Sequence, residues 1–78
     1  MVDLKTVDTK KYLNEGLPVE LEEVIEEFYT QIKENNPVGL WSKYERIYYE
    51  AKDSWKFEEI SMEKMREIQR YFRGIVNG

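Results

Sequence analysis

Glu22 and Glu26 stand four residues apart, as do Glu23 and Glu27, so a helix would set each pair of carboxylates side by side. Paired carboxylates perform general acid–base work when one of them sits in an apolar or crowded site that raises its pKa. These four fall on the half of their helix opposite its apolar stripe, where water keeps both members charged. The reading is a solvated acidic face. A divalent metal would be held weakly by such a pair, because hard cations take about six or more oxygens.

Ser61-Met62-Glu63-Lys64 has the Ser-x-x-Lys spacing of penicillin-binding enzymes, but their Ser-Asp-Asn and Lys-Thr-Gly elements are missing from the chain. Helix capping explains Ser61 in full. The sequence has no His and no Cys, which removes the commonest general base and all thiolate chemistry. Gly16, Gly39, Gly74 and Gly78 are scattered, and none belongs to a phosphate-cradling loop. The expectation is a protein without catalytic residues, metal ligands or a cofactor.

Two other groups of residues point to binding. Arg66, Arg70 and Arg73 fall at i, i+4 and i+7 beside a core stripe, with Gln69 and Tyr71 close by. From Ser61 to Gly78 there are four basic and two acidic residues, so this segment is locally positive. Such a row suits an acidic partner, phosphates, or simple solvation near a helix C-terminus. Aromatic residues make up 14% of the chain, more large rings than a small helical core can enclose with their polar tips at the edge. Some of Trp41, Tyr48, Tyr49, Trp55 and Phe57 are therefore expected at the surface. Trp, Tyr and Arg are the side chains enriched where proteins bind one another.

The elements that must position these groups follow from apolar spacing. Leu21, Ile25, Phe28 and Ile32, widened by Val24 and Tyr29, mark one face of a helix over Pro18 to Glu34, stopped by Asn35-Asn36-Pro37. Leu40, Tyr44, Ile47 and Ala51 mark a second, from Leu40 or Ser42 to about Lys52. Ser42 and Glu45 have capping-box spacing, which would start that helix at Lys43. Trp41, Tyr48 and Trp55 flank its stripe, and Tyr49 points nearly opposite. Asp53 to Glu59 is ambiguous: Trp55 and Phe57 alternate with polar residues, so an extended piece competes with helix. Met65, Ile68, Phe72 and Ile75 mark the last helix, capped by Ser61 and stapled by Ile60 and Met65. A short helix over Lys10 to Glu15, with Tyr12 and Leu13 inward, precedes these three, and residues 1–8 form an arm or lead-in. The fold class is all-α, a small bundle of three main helices plus a short N-terminal helix, read as one domain over residues 1–78.

A chain of 78 residues with net charge −4 has room for one core, and its charge disfavours broad attraction to nucleic acid or to anionic membranes. Met1 to Thr6 lacks the apolar run of about 7–15 residues of a signal peptide, and no stretch reaches the roughly 20 apolar residues of a membrane span. A cytoplasmic location is expected. The functional expectation is a non-enzymatic protein-binding module, a regulator, inhibitor or accessory subunit. It would dock through Trp41, Tyr48, Tyr49, Trp55 and Phe57, with Glu22, Glu23, Glu26 and Glu27 steering it to a basic or aromatic-accepting surface. A homodimer is compatible with this reading. The alternative is a small helical DNA-binding protein that uses Arg66, Arg70 and Arg73 on its C-terminal helix.

Overall fold

The computed structural model describes residues 4–77. Its elements are a 3-10 turn at Leu4–Thr6 and three helices, α1 (Val19–Lys33), α2 (Leu40–Lys56) and α3 (Met62–Asn77). Among the described residues there is no strand, and the all-α bundle read from the apolar stripes is the fold observed. The inward residues of α1 are Leu21, Val24, Ile25, Phe28, Tyr29 and Ile32. Those of α2 are Leu40, Tyr44, Ile47, Ala51 and Ser54, and those of α3 are Met65, Ile68, Phe72 and Ile75. Each set repeats at three or four residues, which places it on one face of a 3.6-residue helix.

α2 lies in the middle and packs against both α1 and α3, while no Cα of α1 comes within 8 Å of a Cα of α3. Those outer helices meet instead through rings: the Phe28 and Phe72 centroids are 5.0 Å apart, and those of Tyr29 and Phe72 are 5.6 Å apart. The rest of the gap is filled by Tyr12 from the segment before α1, whose ring stands edge-on to Tyr71 at 5.5 Å and near Phe72 at 6.0 Å.

This filling explains the first departure from expectation. Residues 10–15 do not form the expected helix; they run through successive turns, with Tyr12 at φ 72° and Asn14 at φ 62°. A left-handed conformation costs a non-glycine residue about 1–2 kcal/mol, and burying a large ring returns a comparable or larger sum of about 1.5–3 kcal/mol. The carbonyls freed from helical bonding find phenols: the Tyr29 hydroxyl donates to the Lys11 carbonyl at 2.8 Å, and the Tyr71 hydroxyl donates to that of Asp8 at 3.2 Å. The short helical element of the N-terminal region sits earlier, at Leu4–Thr6, where Leu4 is buried. Met1, Val2 and Asp3, the start of the expected arm, lie outside the described residues.

α2 begins at Leu40, the earlier of the two expected starts, and not at the Lys43 that a Ser42 capping box would set; Ser42 lies within its first turn, and the flanking position is Gly39, at φ 74°. Burying Leu40 requires that residue inside the helix, and Gly39 supplies the backbone turn that admits it. At the other end the helix runs beyond the expected Lys52 to Lys56, so Asp53 to Lys56 is helical and Phe57 to Glu59 form the turn that follows. Ser54 faces the core there, and Trp55 packs against it. The end is a Schellman closure, with the Glu58 amide donating to the Trp55 carbonyl and the Glu59 amide to that of Ser54, over 2.9 and 2.8 Å. α1 closes in the same way, with Asn35 at φ 54° in the left-handed position expected of an Asn there. α3 is capped as expected: the Lys64 amide donates to Ser61 Oγ at 3.0 Å.

Candidate functional site

The two long flanks of α2 face different neighbours. On the flank carrying Lys43 and Arg46, both cations reach Glu27 of α1, at 3.5 and 2.8 Å. On the other flank, Gln69 Nε2 of α3 donates to the Tyr48 carbonyl at 3.2 Å. At 100° per residue, Trp41, Tyr48 and Trp55 all project to that second side. Glu27 of the acidic helix α1 thus meets one flank of α2, and the rings project to the other. What the fold places beside the rings is the arginine row of α3.

On α2 the rings form a continuous series, of which Tyr44 and Tyr48 line the seam with α3. Trp41 and Tyr44 are 5.4 Å apart, Tyr44 and Tyr48 are 6.4 Å apart, and Tyr48 stands edge-on to Tyr49 at 5.3 Å. Exposure varies along it: Trp41 is 44% and Tyr49 60% exposed, while Tyr48 and Trp55 are half-buried against the core. Phe57 is 76% exposed just beyond the end of α2. Of the five aromatics named from sequence, Trp41, Tyr49 and Phe57 are the exposed ones.

Between the rings and α3 lies a hollow of about 200 Å³ lined by Tyr44, Tyr48, Arg66, Gln69, Arg70 and Arg73. Arg73 and Tyr44 face each other across it. Burial pushes the Tyr44 phenol above its ordinary range, and the charge of Arg73 opposes that rise. Among the described residues, Arg66, Arg70 and Arg73 form no ion pair. Tyr44 and Gln69 belong to this hollow although sequence spacing assigned the first to the core and the second only to a neighbour of the arginines. The available signal for Tyr44 was its phenol, which a core position must bring to an edge.

The acidic side is simpler. Glu23, Glu26 and Glu27 are exposed and Glu22 is intermediate, all on α1. Among the described residues no cluster of three or more His, Cys, Asp or Glu is placed to hold a metal ion. A second hollow, lined by Lys11, Tyr12, Glu63, Glu67, Arg70 and Tyr71, lies on the far side of α3. Of its charged residues, Glu67 is engaged within the chain, by Lys64 at 3.8 Å and by the Tyr12 hydroxyl, which donates to it at 2.8 Å. No described helix is long and apolar enough to cross a membrane. Comparison with protein-family models, with curated proteins and with solved structures returned no match.

Proposed function

We propose that this chain is a non-enzymatic protein-binding module that docks through the α2–α3 seam. The observation that carries this reading is the series Trp41–Tyr44–Tyr48–Tyr49, whose inner rings line a hollow with three arginines while its outer two, Trp41 and Tyr49, stay exposed. Rings held in place lose little freedom on binding, and Trp, Tyr and Arg each cost about 2 kcal/mol or more when truncated at an interaction hot spot. The acidic face of α1 lies outside this footprint. It orients an approaching partner at long range and does not share the contact. A regulator, inhibitor or accessory subunit that works in the cytoplasm fits these properties.

Affinity capture from a native lysate, with and without nuclease, tests the proposal. The recovered protein should survive nuclease and be lost with Trp41→Ala/Tyr49→Ala. Undiminished recovery by that variant would remove the seam from the account.

The unpaired arginines favour a second reading, in which α3 contacts nucleic acid backbone. Three phosphate contacts predict a log–log salt slope of about −3. A fluorescence titration of duplex and single-stranded DNA at low and moderate salt measures it, and no binding at low salt would dispose of this reading.

A further inference from the structure

The hollow between α2 and α3 has a definite ligand chemistry. The sequence carries 16 acidic against 12 basic residues, so carboxylates are in excess, yet Arg66, Arg70 and Arg73 are left without one among the described residues. The cause is geometric sorting. Glu27 is taken by Lys43 and Arg46 on the far flank of α2. Glu67 of α3 is turned to Tyr12 and Lys64 on its own far flank. The arginine flank faces Tyr44 and Tyr48 instead.

We infer that this hollow binds an acidic peptide segment of a partner, carboxylates against the arginines and an apolar side chain against Tyr48 and Trp41. The inference rests on the seam being the docking face, and it names the chemistry that face accepts. Guanidinium groups bind carboxylates through two parallel N–H···O bonds, and the flat fork keeps its charge at any physiological pH. Tyr44 and Arg73 line the hollow together, and Gln69, tied to the Tyr48 carbonyl, fixes the floor. A volume of about 200 Å³ admits one or two side chains of a segment laid across it. The net charge of −4 and the glutamates of α1 repel a polyanion such as DNA, while a short segment with a few carboxylates avoids most of that repulsion. A symmetric pairing of two copies through this seam would set arginines against arginines, so the occupant is a different protein.

The test is an NMR titration of the full isotope-labelled chain with the synthetic peptide acetyl-Glu-Glu-Phe-Glu-Glu-amide. Saturable shifts should centre on Tyr44, Tyr48, Gln69 and the arginine side chains. Affinity should drop at least tenfold in Arg66→Ala/Arg73→Ala, both exposed positions where the fold is retained. A matched peptide with Lys in place of Glu should not bind. Shifts centred on α1, equal binding of the Lys peptide, no saturation at millimolar peptide, or tighter occupancy of the same residues by a single-stranded oligonucleotide each overturn the inference. If the peptide fails while Trp41→Ala/Tyr49→Ala still abolishes partner capture, the acidic-peptide assignment falls and the docking seam stands.

Discussion

The Tyr12 hydroxyl donates to Glu67 Oε1 at 2.8 Å, joining residues 55 positions apart in sequence. That bond, with the edge-on packing of Tyr12 on Tyr71, closes the N-terminal segment over the gap between α1 and α3. Replacing the ring and replacing the hydroxyl should therefore differ. Tyr12→Ala leaves a cavity between the outer helices and is expected to cost about 3–5 kcal/mol. Tyr12→Phe keeps the ring and loses one hydrogen bond to a solvated carboxylate, about 1 kcal/mol. Urea denaturation measures both; equal costs would mean that the segment is not held by its ring.

Alkaline pH should loosen the same latch. Burial, followed by the hydrogen bond to Glu67, holds the Tyr12 phenol far above the ordinary tyrosine value, and burial does the same for Tyr29, with Tyr71 adding to it. The folded state thus keeps protons that the unfolded chain releases above about pH 10. This contribution is intact below that pH, and each group then loses about 1.4 kcal/mol per pH unit as pH rises toward its folded-state value. Circular dichroism should show unfolding that begins above about pH 10, the ordinary tyrosine range. A fold that persists unchanged while all phenols ionise would contradict the latch.

Backbone conformation gives two substitutions of opposite sign. Glu58 holds a left-handed φ of 60° in the closure of α2, where glycine is favoured. Glu58→Gly should stabilise by about 1 kcal/mol. Gly39 holds φ 74° with nothing within 4 Å of an added Cβ, so the cost of Gly39→Ala is purely conformational and should also be about 1 kcal/mol. Thermal unfolding distinguishes the two, one midpoint rising and the other falling.

How far these features were visible beforehand depends on whether neighbours or distant contacts decide them. The stripes Leu21–Ile25–Phe28–Ile32 and Met65–Ile68–Phe72–Ile75 repeat locally, so the three helices and their inward faces were readable from spacing alone. The Asn35 closure and the Ser61 cap were equally local. Tyr12 was readable as a core residue but not as a residue in turns, because its conformation is set by a gap that exists only once α1 and α3 are both docked. The site divides in the same way. The exposure of Trp41, Tyr49 and Phe57 follows from their offset from the α2 stripe. Which charges stand beside them depends on which flank of α2 receives α3, and the one-dimensional pattern does not specify that. Spacing therefore named the docking rings and the steering glutamates but not how far apart they lie.

The ion pairs between α1 and α2 should matter little to stability. Glu27, Lys43 and Arg46 are all partly exposed, and such pairs contribute about 0–1 kcal/mol. Glu27→Gln is expected to fall within that range in chemical denaturation, and the difference from the parent should shrink further in high salt. A loss of several kcal/mol would show that the acidic face of α1 is structural.

Site-specific photo-crosslinking in the native host tests the docking seam most directly, with p-benzoylphenylalanine introduced in place of Tyr49 in one version of the chain and of Glu23 in another. The account predicts a discrete, nuclease-resistant adduct from position 49 and none from position 23. Adducts from position 23 alone, equal yields from both positions, or none from either would contradict it.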